Sequence, residues 1–202
     1  MAEAELSPPN LISDGVPLND YIDMIYSDFY KNFIDRNNRP LLLGNFIFLS
    51  NEHIDNKLER FWHLISLGNE EKYNIFPCTN DYAYLRCNTK CEVQNSIESV
   101  KQLSRAECMY RMARIHWISE IIDLANKNNK YIKCWTKTSK DNRQNYFIRY
   151  EKDLIDYVII FNEVHKKGKL NYYKFTTAYP VFYKRMKQQF NEDYSKYLGS
   201  KK

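Results

Sequence analysis

Tyr131-Ile-Lys-Cys-Trp-Thr136, Arg143-Gln-Asn-Tyr-Phe-Ile-Arg-Tyr150, Ile155-Asp-Tyr-Val-Ile-Ile-Phe-Asn-Glu-Val164 and Leu170-Asn-Tyr-Tyr-Lys-Phe-Thr-Thr-Ala-Tyr179 follow one another along the chain, separated by short polar stretches. Each is dense in aromatic and β-branched side chains, the residues that suit a pleated, half-buried surface. The gaps hold turn formers: Asp141-Asn142, Glu151-Lys152-Asp153 and Lys166-Lys167-Gly168-Lys169. Connections this short exclude parallel neighbours, because a parallel crossover needs a dozen or more residues. The region therefore predicts an antiparallel meander of four strands. Its third strand contains the unbroken apolar run Tyr157-Val-Ile-Ile-Phe161, expected in the middle of the sheet with both faces covered. The fourth alternates, which places Tyr173, Phe175 and Thr177 on one face and Lys174, Thr176 and Ala178 on the other.

Outward from the meander the pattern turns helical. Before it, Ile97, Val100, Leu103, Met112, Ile115, Ile118, Ile122 and Ala125 recur at helical spacing behind Ser96, predicting a long helix to about Asn126 that breaks once near Leu103-Ser104. After Pro180, a closing helix is expected over Val181 to Leu198. Towards the N-terminus, Leu18 to Ile34 reads as an amphipathic helix and Leu41 to Leu49 as a strand. Gly68 to Gln94, rich in Asn and Cys, reads as an irregular insertion. Residues 1–17, broken by Pro8-Pro9 and Asp14-Gly15, read as an extended leader. The expected architecture is α+β: one domain over 18–202, its N-terminal helical and irregular part (18–95) packed on the long helix, four-stranded antiparallel sheet and C-terminal helix of 96–202.

The 202 residues are 44% hydrophobic, with only 5 Gly and 6 Pro, enough for one good core. No run approaches the roughly 18 apolar residues of a membrane span, and the acidic start Met1-Ala-Glu-Ala-Glu5 is unlike a signal peptide, so a cytoplasmic protein with no membrane partner is expected. The 5 cysteines, at 78, 87, 91, 108 and 134, have neither the spacing of a disulfide framework nor paired CxxC knuckles. Reduced thiols, no metal and no cofactor are expected. Charge is unevenly spread: residues 1–139 carry 16 Lys and Arg against 18 Asp and Glu, whereas 140–202 carry 14 against 7. A basic, tyrosine-rich half suits a polyanion that can also stack, and RNA is the foremost candidate; a solvated basic tail is the plainer reading.

No Gly-rich phosphate loop, GxSxG, HExxH or Walker pattern is present. His53, within the polar 50–59 connection, and His63, beyond it, are able to do acid–base work, while a satisfied structural histidine is the plainer reading of each. Arg111 and Arg114 share a helix face, where Glu107 and Glu120 are alternative partners for them. The succession Phe61-Trp-His63, Arg111-Met-Ala-Arg-Ile-His-Trp117, Ile132-Lys-Cys-Trp135, Tyr157-Val-Ile-Ile and Tyr172-Tyr-Lys-Phe-Thr-Thr-Ala-Tyr-Pro180 resembles a family of uncharacterised, mobile-element-associated bacterial proteins. That family in turn resembles the phage-type branch of the barnase/EndoU/colicin/RelE-like (BECR) nucleases. The resemblance spans about Leu18 to Tyr197. It departs from the family pattern at His116, where a basic residue is usual, and at Thr136, where an acidic one is.

The resemblance implies a toxin-like hydrolase, a metal-independent endoribonuclease acting in phage defence or a mobile element, with tRNA among its targets and a neutralising protein as a partner. In that reading His63 and His53 exchange protons, Arg111, Arg114 and Arg143 bind phosphate, and Thr177 and Tyr179 donate to its non-bridging oxygens. A non-catalytic RNA-binding module and a protein-binding regulatory module are the alternatives.

Overall fold

The computed structural model describes residues 5–68 and 97–201. In chain order come helix α1 (Leu18–Phe29), continued by a π-helical turn (Tyr30–Ile34), strands β1 (Ile47–Phe48), β2 (His53–Ile54) and β3 (Lys57–Leu58), helix α2 (Glu59–Leu64) and strand β4 (Ser66–Gly68). Then follow α3 (Glu98–Gln102), β5 (Arg105–Glu107), α4 (Met109–Met112), α5 (Trp117–Asn126), β6 (Ile132–Thr138), β7 (Gln144–Lys152), β8 (Ile155–Lys166), β9 (Lys169–Pro180) and α6 (Lys184–Ser200). They group into two compact units. A sheet unit comprises Met1–Leu6, Arg39–Leu49 and Ile118–Lys202, and a helical unit comprises Ser7–Asn38 and Ser50–Trp117.

In the sheet unit, β6 to β9 form the expected antiparallel meander, each strand paired with its sequence neighbour. Asn142, Asp153, Lys167 and Gly168 turn the chain with positive φ. The sheet gains a fifth strand, in the order β1-β9-β8-β7-β6, so the apolar β8 is central. β1 lies parallel to β9, with Ile47 opposite Tyr173. It is only two residues long because the expected strand over Leu41 to Leu49 is interrupted by a tight turn. Leu42 and Asn45 bond each other's backbones while Leu43 (φ 49°) and Gly44 (φ 77°) reverse the chain. Asn126 clamps that turn: its Nδ2 donates to Leu41 O at 2.7 Å and its Oδ1 accepts from Leu43 N–H at 2.8 Å.

The facing of β9 differs from simple alternation. Phe161 pairs with Phe175, but Ile160 pairs with Thr177, so Thr176 is an extra residue in a β-bulge. The bulge resets the two-residue period. Thr177 and Tyr179 therefore share the face of Ile160 and Val158, opposite to that of Phe175. On the Val158 face, Trp135, Phe147, Val158, Val181 and Phe190 form a core against which Ile160, Tyr179, Met186, Tyr194 and Tyr197 pack. Trp135 and Phe147 stack with centroids 4.9 Å apart. The closing helix starts at Lys184 rather than Val181, because Val181 N–H is still bonded to Asp156 O. Arg149 is fully buried; its Nε and Nη2 each reach Asp156 at 2.7 Å, and Nη1 reaches Asn191 at 2.8 Å.

In the helical unit, α1 buries Tyr21, Ile22, Ile25 and Phe29, the stripe its spacing predicts. Residues before it are fixed by hydrogen bonds of their backbone: Asn10 N–H donates to Ala113 O at 2.8 Å, and the side chains of Trp117 and Tyr21 donate to Ser7 O at 2.8 Å and to Asn10 O at 2.6 Å. The long helix expected over Ser96 to Asn126 is instead α3, β5, α4 and α5. Ser104 takes φ 53°, and Arg105–Glu107 then pairs antiparallel with β4. The Glu107 carboxylate accepts from Ile97 N–H at 2.7 Å, which holds the segment in this path. A partner strand distant in sequence overrides the local helical period here. The insertion expected over Gly68 to Gln94 lies, beyond Gly68, outside the described residues. Among the described residues no helix is long and apolar enough to cross a membrane.

Candidate functional site

The β4–β5 pairing collects polar groups around Ser66. Arg105 donates from Nε to Ser66 Oγ at 2.8 Å and from Nη2 to Ser66 O at 2.9 Å and His63 O at 3.4 Å. Arg111, from α4, donates from Nη1 to the same Ser66 O at 2.7 Å. Ser66 Oγ itself donates to Trp62 O at 2.5 Å. Two guanidinium groups are thus fixed to one carbonyl oxygen. The Nε of Arg111 is buried and has no partner among the described residues.

His63, one turn earlier on α2, is half-buried with Nε2 3.2 Å from Glu59 Oε1. Burial lowers its pKa, the Arg105 charge lowers it further, and the hydrogen bond it donates to Glu59 opposes both without cancelling them. The imidazole is therefore neutral near pH 7. A bond to a carboxylate requires the hydrogen on Nε2, which leaves the Nδ1 lone pair as a base. An oriented neutral imidazole beside fixed guanidinium donors can take a proton from a hydroxyl while the cations hold an anion.

The other predicted residues are placed as follows. His53 stands exposed on β2, Nδ1 2.8 Å from Asn51 O, on the hairpin that leads into α2. Arg114 is 3% exposed, with its guanidinium 3.6 Å over the Tyr110 ring and Nη1 3.2 Å from Tyr110 O. That burial corrects its phosphate-binding role, since it leaves no surface from which to meet a polyanion. Thr177, Tyr179 and Arg143 belong to the sheet unit. Thr177 lies mid-strand opposite Ile160, Tyr179 packs on the Trp135 core, and Arg143 is ion-paired with Asp141 at the β6–β7 turn. That pairing holds the Asp141 carboxyl at about 2. Of the predicted set, the structure joins His63 and Arg111 through Ser66 and its neighbours.

Glu59, Ser66 and Arg105 are additions. The Glu59–His63 spacing of four was legible as a helical pair. Arg105 was not, because its place depends on β4 meeting β5 across a long sequence separation. Among the described residues no group of three or more His, Cys, Asp or Glu could hold a metal ion. Cys78, Cys87 and Cys91 lie outside those residues; burial raises the pKa of the Cys134 thiol, which keeps it protonated. Comparison with protein-family models, with curated proteins and with solved structures gives no match.

Proposed function

We propose that this protein is a metal-independent endoribonuclease, toxin-like in its use against RNA such as tRNA. The observation that supports it best is the neutral His63, oriented by Glu59, beside guanidinium groups of Arg105 and Arg111 fixed on Ser66. In the reaction His63 Nδ1 takes the proton of a ribose 2′-hydroxyl, and that oxygen attacks the adjacent phosphorus. The arginines carry the charge on the non-bridging oxygens, and the bond to the 5′-oxygen breaks as that oxygen gains a proton, for which His53 is the candidate donor. The products are a 2′,3′-cyclic phosphate and a 5′-hydroxyl. The role suits phage defence or a mobile element, with a neutralising protein to protect the host.

The test is incubation of purified protein with total RNA in EDTA. Discrete fragments ending in 2′,3′-cyclic phosphate are expected, reduced about 10²-fold or more in His63→Ala. Intact RNA, or cleavage that survives His63→Ala, overturns the proposal. One observation favours a protein-binding reading beside it: Leu41, Leu43, Phe46 and Phe48 are all exposed around one turn of the sheet unit.

A further inference from the structure

A second polar site lies wholly within the sheet unit and uses none of the residues of the cleavage reading. Where β6 ends and β7 begins, those strand ends and residues 189–200 of α6 line an open cavity of about 500 Å³, within the usual range of small-molecule sites. Its polar groups are constrained by their own bonds. Lys137 Nζ and Gln189 Nε2 both donate to Asp193, at 2.7 Å and 3.0 Å, which pairs the carboxylate and leaves Gln189 its amide oxygen as an acceptor and one remaining N–H. Thr138 Oγ1 donates to Gln144 Oε1 at 2.8 Å, which leaves the Gln144 amide nitrogen as a donor. Two amides that offer both acceptor and donor groups thus line the same cavity.

A paired donor and acceptor is what the edge of a nucleobase presents, and single-stranded RNA is read through such edges with aromatic stacking. Tyr197 supplies a half-buried ring in the lining, covered by the exposed Lys201, whose Nζ lies 4.6 Å from its centroid and which a stacking base would displace, and Lys196 supplies an exposed ammonium on the same helical turn. With Lys137 paired to the carboxylate of Asp193, Lys196 gives the lining a surplus positive charge that favours an anionic occupant. We propose that this cavity binds a nucleoside monophosphate unit, either free or as one residue of a single-stranded RNA: Gln144 and Gln189 read the base edge, Tyr197 stacks, and Lys196 meets the phosphate.

The experiment is a titration of the ¹⁵N-labelled full chain with AMP, GMP, CMP and UMP, the matching nucleosides, inorganic phosphate and a short oligoribonucleotide, followed by the side-chain amide signals of Gln144 and Gln189. Base-dependent shifts are expected. Gln144→Ala should weaken nucleosides and nucleotides alike by about fivefold, whereas Lys196→Ala should weaken nucleotides about fivefold and leave nucleosides unchanged. Both residues are at the surface, and unchanged backbone signals elsewhere certify the fold. Binding of the oligonucleotide in preference to mononucleotides assigns the site to an RNA strand; the reverse assigns it to a free nucleotide. No amide shift at millimolar ligand, the same shifts from inorganic phosphate alone, or shifts unaltered in both variants overturns the proposal. The readout is binding, so it stands or falls separately from RNA cleavage.

Discussion

The chemistry proposed for His63 depends on its protonation state. Its pKa lies below the ordinary 6.5 of a histidine because burial and Arg105 disfavour the imidazolium. In the unfolded chain those influences vanish, so below its ordinary pKa the unfolded state binds more protons and the histidine works against folding. As pH falls from about 7.5 to about 5, the wild type should lose stability relative to His63→Gln, read as the urea midpoint of each protein. Above that window the two should differ by a constant amount. Cleavage should follow the same titration and rise as His63 loses its proton. A pH-independent difference between the two proteins would mean that the imidazole is not held neutral by its surroundings.

A second residue-scale case is Asp156, buried with its oxygens on Arg149 at 2.7 Å and on Lys187 at 3.0 Å. Removing one partner of a buried pair leaves an uncompensated charge, so Asp156→Ala should destabilise by about 3–5 kcal/mol in chemical denaturation. A loss under about 1 kcal/mol would show that Glu151 and Asn191 suffice for Arg149. Arg149 was legible as a strand residue of β7 but not as a buried ion, since nothing local marks the Asp seven positions on as its partner.

Elements are legible in the sequence where hydrophobic period and turn chemistry agree, and are not where a distant segment decides. The meander was legible because short turns dictate antiparallel pairing and the strands carry their own β-formers. The facing of Thr177 and Tyr179 was not, because a single unpaired residue, Thr176, resets the alternation and leaves no trace in composition. Deleting Thr176 would leave Phe175 opposite Phe161 and Thr177 opposite Ile160 in unbroken alternation, so every facing is kept. The variant should therefore keep a cooperative transition in circular dichroism, within about 2 kcal/mol of the wild type. Loss of that transition would show that the bulge itself is required by the sheet.

The turn before β1 rests on one side chain. Asn126, at the end of α5, satisfies both Leu41 O and Leu43 N–H, and Leu43 keeps a left-handed conformation with its side chain half out in solvent. Asn126→Ala should cost about 1–2 kcal/mol by thermal melting. Faster amide exchange should be confined to Leu43 and the adjoining turn. Replacing Leu43 by Gly should recover part of that loss, because glycine takes φ near +50° without a side-chain penalty. The expected strand over Leu41 to Leu49 failed for the same reason: Leu43-Gly44 turns the chain inside an apolar run whose composition alone reads as extended.

For the whole molecule, the decisive feature is that neither unit is a continuous piece of chain. Residues 118–202 hold the entire meander and α6, yet the sheet is completed by β1 from Arg39–Leu49. Within residues 118–202, Lys133 is ion-paired with Glu151, Lys137 with Asp193 and Lys187 with Asp156. Each pair removes one charge of either sign, so the net excess of cations over residues 140–202 is untouched by them. Within Arg39–Leu49, Leu42 and Ile47 are fully buried, and Ile47 and Phe48 pair with β9. A fragment of residues 118–202 lacks both side chains and leaves the edge of β9 open, an invitation to pair with another chain. At about 1.5–3 kcal/mol for each buried aliphatic side chain, the sheet unit should be roughly 3–6 kcal/mol less stable without that segment. The fragment should therefore melt at lower temperature and self-associate. Adding a synthetic peptide of residues 39–49 should raise its melting temperature in proportion to the logarithm of peptide concentration, since only the folded sheet offers the β9 edge. The same peptide carrying Ile47→Asp should have no effect. A fragment that melts as the full chain does, monomeric and indifferent to the peptide, would show that the meander and α6 are sufficient alone and that β1 is an accessory to the sheet.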